Sequence, residues 1–133
     1  CALPISANYS QLVMPQDTNI IGTLFGGKMI SWMDIAAAKV AHRCLKDVTA
    51  DTIVTRAMES IEFQEAVQMG EWVNLKSNVI AVGKTSFKIK VEAYAERIGE
   101  EKRLACSGIF IMVSVCKNED GSFKSVEHGI SLK

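Results

Sequence analysis

The sequence predicts an α+β fold, in which a single antiparallel sheet curves over one long buried helix. Three observations carry this. From about Gly26 to Lys46 the chain reads as one helix, rich in alanine, methionine and long side chains, with no proline and no glycine after Gly27. Downstream the apolar period becomes that of half-buried strands. Val73, Leu75, Val79 and Ala81 alternate with Asn74, Lys76 and Asn78, and Phe87, Ile89, Val91, Ala93 and Ala95 alternate with Ser86, Lys88, Lys90 and Glu92. Finally, four long strands follow the helix without any strand–helix–strand alternation, which argues against a parallel sheet.

In chain order, "NYSQLVMP" is a short strand that Pro15 stops, because proline cannot continue donating to a ladder. "QDTNIIG" is a turn or loop leading to the helix. "IVTRAMESIEF" supplies the first long strand, "WVNLKSNVIAV" and "TSFKIKVEAYAER" form a hairpin around Gly83, and "RLACSGIFIMVSVC" closes the sheet.

A chain of 133 residues has the size of one domain with a real core, and 48% hydrophobic residues with only 2 prolines is an ordinary globular composition. Fifteen basic residues balance fifteen acidic ones, so nothing favours a nucleic acid or an anionic membrane as partner. Apolar runs such as "GIFIMVSVC" fall far short of the roughly 20 residues that span a bilayer, and no signal region is evident. Cys1, Cys44, Cys106 and Cys116 are scattered, and with only His42 and His128 beside them they argue for reduced thiols rather than zinc ligands. The expectation is a cytoplasmic protein without a metal.

Asp34 breaks this plain pattern. On a helical wheel Lys28, Ser31, Lys39, His42, Arg43 and Lys46 share one polar arc, whereas Asp34 falls among Ile30, Ala38, Ala41 and Leu45, on the side expected to face the sheet. A carboxylate there costs several kcal/mol unless it is paired, so it either bonds a structural partner or serves a site. The "FGG" of Phe25, Gly26 and Gly27 opens the same helix, and two glycines at a helix start let a substrate approach unpaired amides and the positive end of the helix dipole. Such amides can stabilise an oxyanion, although a tight turn would explain the glycines equally well.

Together these residues carry a resemblance. "MPQDTNIIGTLFGGKMISWMDIAAAKVA" resembles the acyl-CoA thioesterases of the hotdog fold, in particular the branch of the cytosolic acyl-CoA hydrolases. That branch shows proline-x-aspartate-x-asparagine, a glycine, a glycine pair and an acidic residue two turns into the helix, here Pro15, Asp17, Asn19, Gly22, Gly26, Gly27 and Asp34. The similarity continues through "IEFQEAVQMGEWV", "VGKTSFKIKVEAYAE" and "GIFIMVSV", from about Leu12 to Val115. The tail "CKNEDGSFKSVEHGISLK" departs from it by lacking proline, so its path is not predicted, but the candidate active-site positions are unaffected.

The resemblance implies a single hotdog domain over residues 1–133 that hydrolyses acyl-CoA to a free acid and CoA, with no metal or organic cofactor. It implies a homodimer with the site between protomers, assembled in many relatives as a trimer of dimers. Asp34 is then the candidate general base or nucleophile, Asn19 the residue that orients water or the thioester, and the Gly27 amide, with Gly26, the oxyanion donor. The alternative role for Asn19 is only to shape its turn. Gly83, Lys84, Thr85 and Ser86 correspond to a segment near CoA in relatives and are candidate phosphate contacts, with Arg43 and Arg56 as further basic candidates. An acyl-thioester dehydratase of the same fold would need a placed histidine, which neither His42 nor His128 provides, and a non-catalytic acyl-CoA sensor would usually carry a further regulatory domain.

Overall fold

The computed structural model describes residues 6–45 and 52–128. Its elements are β1 (Ser6–Leu12), a 3-10 turn (Pro15–Asp17), α1 (Gly26–Cys44), β2 (Thr52–Phe63), β3 (Trp72–Val82), β4 (Ser86–Glu96), β5 (Arg103–Lys117) and β6 (Phe123–Ser125). All strand pairs are antiparallel, in the order β1-β3-β4-β5-β2, with β6 added to β5. The sheet curves around α1, which packs against each of β1 to β5. The expected α+β architecture is therefore the observed one. The helix stops at Cys44 with Leu45 as its cap, and its expected end at Lys46 lies outside the described residues.

The helix buries Met29, Trp32, Met33, Ala36, Ala37, Val40, Ala41 and Cys44 as a stripe, while the polar arc from Lys28 to Arg43 stays exposed. The alanines let it sit close to the strands. There the buried Ser77 of β3 donates to the Ala36 carbonyl at 2.8 Å, so its hydroxyl is paired inside the core. Facing the helix, Phe87, Ile89, Val91, Ala93 and Ala95 are fully buried, as the alternation of β4 requires.

The alternation fails at one point of β3. A register shift between Val79 and Ala81 turns Ala81, expected to face the core, out to solvent. One extra residue inverts the faces beyond it, and apolar alternation alone does not reveal such a bulge. A second shift, between Glu59 and Glu62 of β2, contains Ser60 in the left-handed region at φ 51° and brings Ile61 over Gly108, where a β-carbon would collide with it.

Candidate active site

The helix start is open. Phe25 caps it without a side-chain bond, and the first intrahelical bond runs from Met29 N to Phe25 O at 3.0 Å. The amides of Gly26, Gly27 and Lys28 therefore have no acceptor among the described residues. A β-carbon on Gly26 would lie 3.3 Å from the Phe63 ring, whereas the space around Gly27 is clear. Beside them lies a cavity of about 340 Å³, lined by Thr23, Gly26, Met29, Phe63, Gln64 and Val67 among others.

The preceding loop is held by its own side chains. Buried Asp17 accepts from Met14 N at 3.0 Å and pairs with Lys28 of the first helical turn at 3.4 Å. Asn19 accepts from the amides of Ile21 and Thr23, each at 3.1 Å, and donates to the Thr23 hydroxyl at 2.8 Å. It thus shapes its turn. With both acceptor positions engaged, what the amide has left to offer a substrate is its second N–H. The tip of this loop is apolar and uncovered: Ile20 is 104% exposed and Ile21 77%.

Asp34 stands at the margin of the buried stripe, half-buried, rather than fully against the sheet. Thr55 of β2 donates its hydroxyl to Asp34 Oδ1 at 2.5 Å and lies 3.2 Å from Met112 Sδ; its single proton goes to the carboxylate, the stronger acceptor. Asp34 Oδ2 has no partner among the described residues. Sequence reasoning missed Thr55. The available signal was a hydroxyl two residues after the buried Ile53, at a position where an apolar inward residue would be ordinary.

The segment between β2 and β3 supports the helix start. Leu24 N donates to Val67 O at 2.8 Å, and Thr23 bridges to Gln68. This segment is fixed by Glu71, only 1% exposed, which receives Arg103 in two parallel bonds of 2.7 and 2.9 Å and the amide of Gln68 at 2.7 Å. Arg103 holds the Glu71 carboxyl below the ordinary range, against the opposing effect of burial, and Gln68 adds to the lowering. Arg97 and Glu100 complete the cluster. No local pattern in the sequence marks this cluster.

The "GKTS" segment is a tight hairpin closed by Gly83 N to Ser86 O at 3.0 Å, with Lys84 exposed. Met112 of β5 lies opposite Thr55 on one side and Phe87 on the other, which sets those two about two strand spacings or 10 Å apart, so this turn shares one end of the sheet with Thr55 and the Asp34 it holds. Gly26 lies at the opposite end of β2, beneath Phe63. Within one chain, then, Asp34 is grouped with the hairpin and Asn19 with the glycine pair. Arg43 donates to the Ser6 carbonyl at 3.3 Å and Arg56 is exposed. His42 is exposed and His128 is buried. Among the described residues no group of three or more His, Cys, Asp or Glu is placed to hold a metal, and no helix is long and apolar enough to cross a membrane.

Comparison with known proteins adds to this geometry. The family model of the thioesterase superfamily matches residues 21–102. An uncharacterised acyl-CoA thioester hydrolase of Buchnera aphidicola is 34% identical over 110 residues, covering 80% of this chain and 78% of its own. The acyl-CoA thioester hydrolase YciA of Salmonella typhimurium is 32% identical over 108 residues, 78% of each chain. Among solved structures, a hexameric thioesterase from Yersinia pestis superposes with a TM-score of 0.76 at 27% identity, covering 89% of this chain and 92% of its own.

Proposed function

The chain belongs to the thioesterase superfamily, and on that premise we propose that it is an acyl-CoA thioester hydrolase with Asp34 as general base. The observation that carries the assignment is the half-buried carboxylate whose Oδ1 is held by Thr55 while Oδ2 is left to act. Oδ2 takes a proton from water as the water oxygen bonds to the thioester carbon. The carbonyl oxygen becomes an oxyanion, which the unpaired Gly27 amide stabilises with help from the helix dipole. Asn19 donates its remaining N–H to the carbonyl or to the water. On collapse the C–S bond breaks, the sulfur leaves as thiolate, and the proton held by Asp34 returns to it, giving free acid and CoA.

Asp34 lies seven residues, about 10 Å, along the helix from Gly27, too far for both to meet one carbonyl carbon. Each site therefore takes Asn19 and Gly27 from one protomer and Asp34 with Thr55 from the other. The functional unit is a homodimer, assembled as a trimer of dimers in line with the hexameric relative, and working in the cytoplasm. Gly83, Lys84, Thr85 and Ser86 receive the CoA phosphates, with the exposed Lys84 as the charged contact.

The test is release of free thiol from a series of acyl-CoAs by the parent and by Asp34→Ala. The variant is expected to stay folded and to lose about a hundred- to ten-thousandfold in rate. A folded variant as active as the parent ends the assignment. One turnover in ¹⁸O-water separates the base from a nucleophile, since only an Asp34 anhydride would leave the label in the Asp34 carboxylate.

A further inference from the structure

The C-terminal segment lies across the hairpin turn assigned above to the coenzyme. After β5 the chain reverses, pairs as β6 with Val115 to Lys117, beyond the last β4 partner at Val113, and continues over the turn. Three turn carbonyls are engaged, by the tail, by β5 and by the turn itself. Lys84 O accepts from His128 N at 3.1 Å, Thr85 O from Ser114 N at 2.9 Å, and Ser86 O from Gly83 N at 3.0 Å, with His128 Nε2 also 2.9 Å from Ser86 O. The Ser114 hydroxyl donates to Val126 O at 2.6 Å and lies 3.2 Å from Thr85 O, while Val126 N donates to Ser114 O at 3.0 Å.

The His128 ring is only 4% exposed and stacks on Phe87, with centroids 4.3 Å apart. Beside a carbonyl oxygen, its Nε2 must carry the proton. A peptide unit points its N–H away from its C=O, so the tail's bond to Lys84 O turns the N–H of Thr85, in the same peptide unit, the other way; neither Thr85 N nor Lys84 N has an acceptor among the described residues. The turn thus offers an anion the positive ends of its peptide dipoles beside the Lys84 ammonium. Released from the tail, the Lys84–Thr85 peptide unit is free to rotate and present its carbonyl oxygen, which repels phosphate.

We propose that His128 is a positioning residue for the coenzyme, holding the Lys84–Ser86 turn in its phosphate-accepting conformation through this strap. The inference rests on the reading of the turn given under Proposed function, and the experiment separates the two. Steady-state kinetics are measured for the parent, Lys84→Ala, His128→Phe and His128→Gln, with an acyl-CoA and with the matching S-acyl-N-acetylcysteamine, which lacks the nucleotide. His128→Phe keeps the stack on Phe87 and loses the N–H. It is expected to raise KM for acyl-CoA about three- to tenfold, the worth of one hydrogen bond, with kcat and the short thioester unchanged. His128→Gln returns an N–H near the Nε2 position and is expected to restore KM to within about twofold. If His128→Phe does not fold, Ser114→Ala carries the same expectation. A normal KM in His128→Phe beside a raised one in Lys84→Ala overturns the strap and leaves the turn assigned. Unchanged KM in Lys84→Ala removes the turn from the site and the strap with it. Equal losses on both substrates reduce His128 to a structural role and also overturn the proposal.

Discussion

A half-buried carboxylate at the margin of an apolar helix face is tolerable because Thr55 donates to it, and that single bond also fixes which oxygen is free. Thr55→Val keeps the shape and removes the donor. A hydrogen bond to a charged group contributes about 1.5–3 kcal/mol, so kcat for acyl-CoA is expected to fall about ten- to hundredfold with KM within twofold. Initial rates across substrate concentration check this, and an unchanged kcat would remove Thr55 from the machinery. Asn19 has two duties of different kinds. Its three loop bonds are structural and its fourth hydrogen-bonding group is the one left for chemistry, so Asn19→Ala should lower the melting temperature as well as the rate, unlike Asp34→Ala.

The elements were legible wherever one residue pattern met one face. The helix from Gly26 and the alternation of β4 needed only the periods of 3.6 and 2, and the structure follows both. What stayed hidden were features without a period: the bulge that exposes Ala81, the three-residue β6, and the tail bonds to the hairpin, which depend on single backbone groups. Of the candidate site, Asp34 and the glycine pair stood out from the residues themselves, whereas Asn19 entered only with the family resemblance. Thr55 is an ordinary strand residue until register places it beside Asp34. The Glu71–Arg103 pair, 32 residues apart, is equally invisible in one sequence, yet it anchors the segment that buttresses the helix start. Glu71 has a lower pKa folded than unfolded. Its contribution is therefore present in full above the ordinary carboxylate pKa of about 4.3 and is lost as pH falls through the lower folded value. Glu71→Gln breaks a buried pair and should destabilise the fold by about 3 kcal/mol at pH 7. Its melting temperature should also vary less than the parent's between about pH 5 and 2. Parallel acid-dependent slopes in thermal melts would show that the pair contributes little.

At the scale of the whole molecule, the exposed apolar side chains indicate what the single chain lacks. On the edge strand β2, Val54 is 42% and Met58 44% exposed, and on the helix Ile35, next to Asp34, is 46% exposed. Elsewhere on the same chain the Asn19 loop holds Ile20 and Ile21 in solvent. An isologous pairing across β2 would cover both patches at once, laying each chain's loop and glycine pair beside its counterpart's carboxylate, twice over. The prediction is made with two inactive proteins. Asn19→Ala and Asp34→Ala are unfolded together, refolded as a mixture and assayed for thiol release. Random pairing makes half of the dimers mixed, and in each of these one site lacks both groups while the other is intact, so about a quarter of the parent activity should return. If both groups come from one chain, every site in the mixture remains defective and no activity returns above that of the two variants alone.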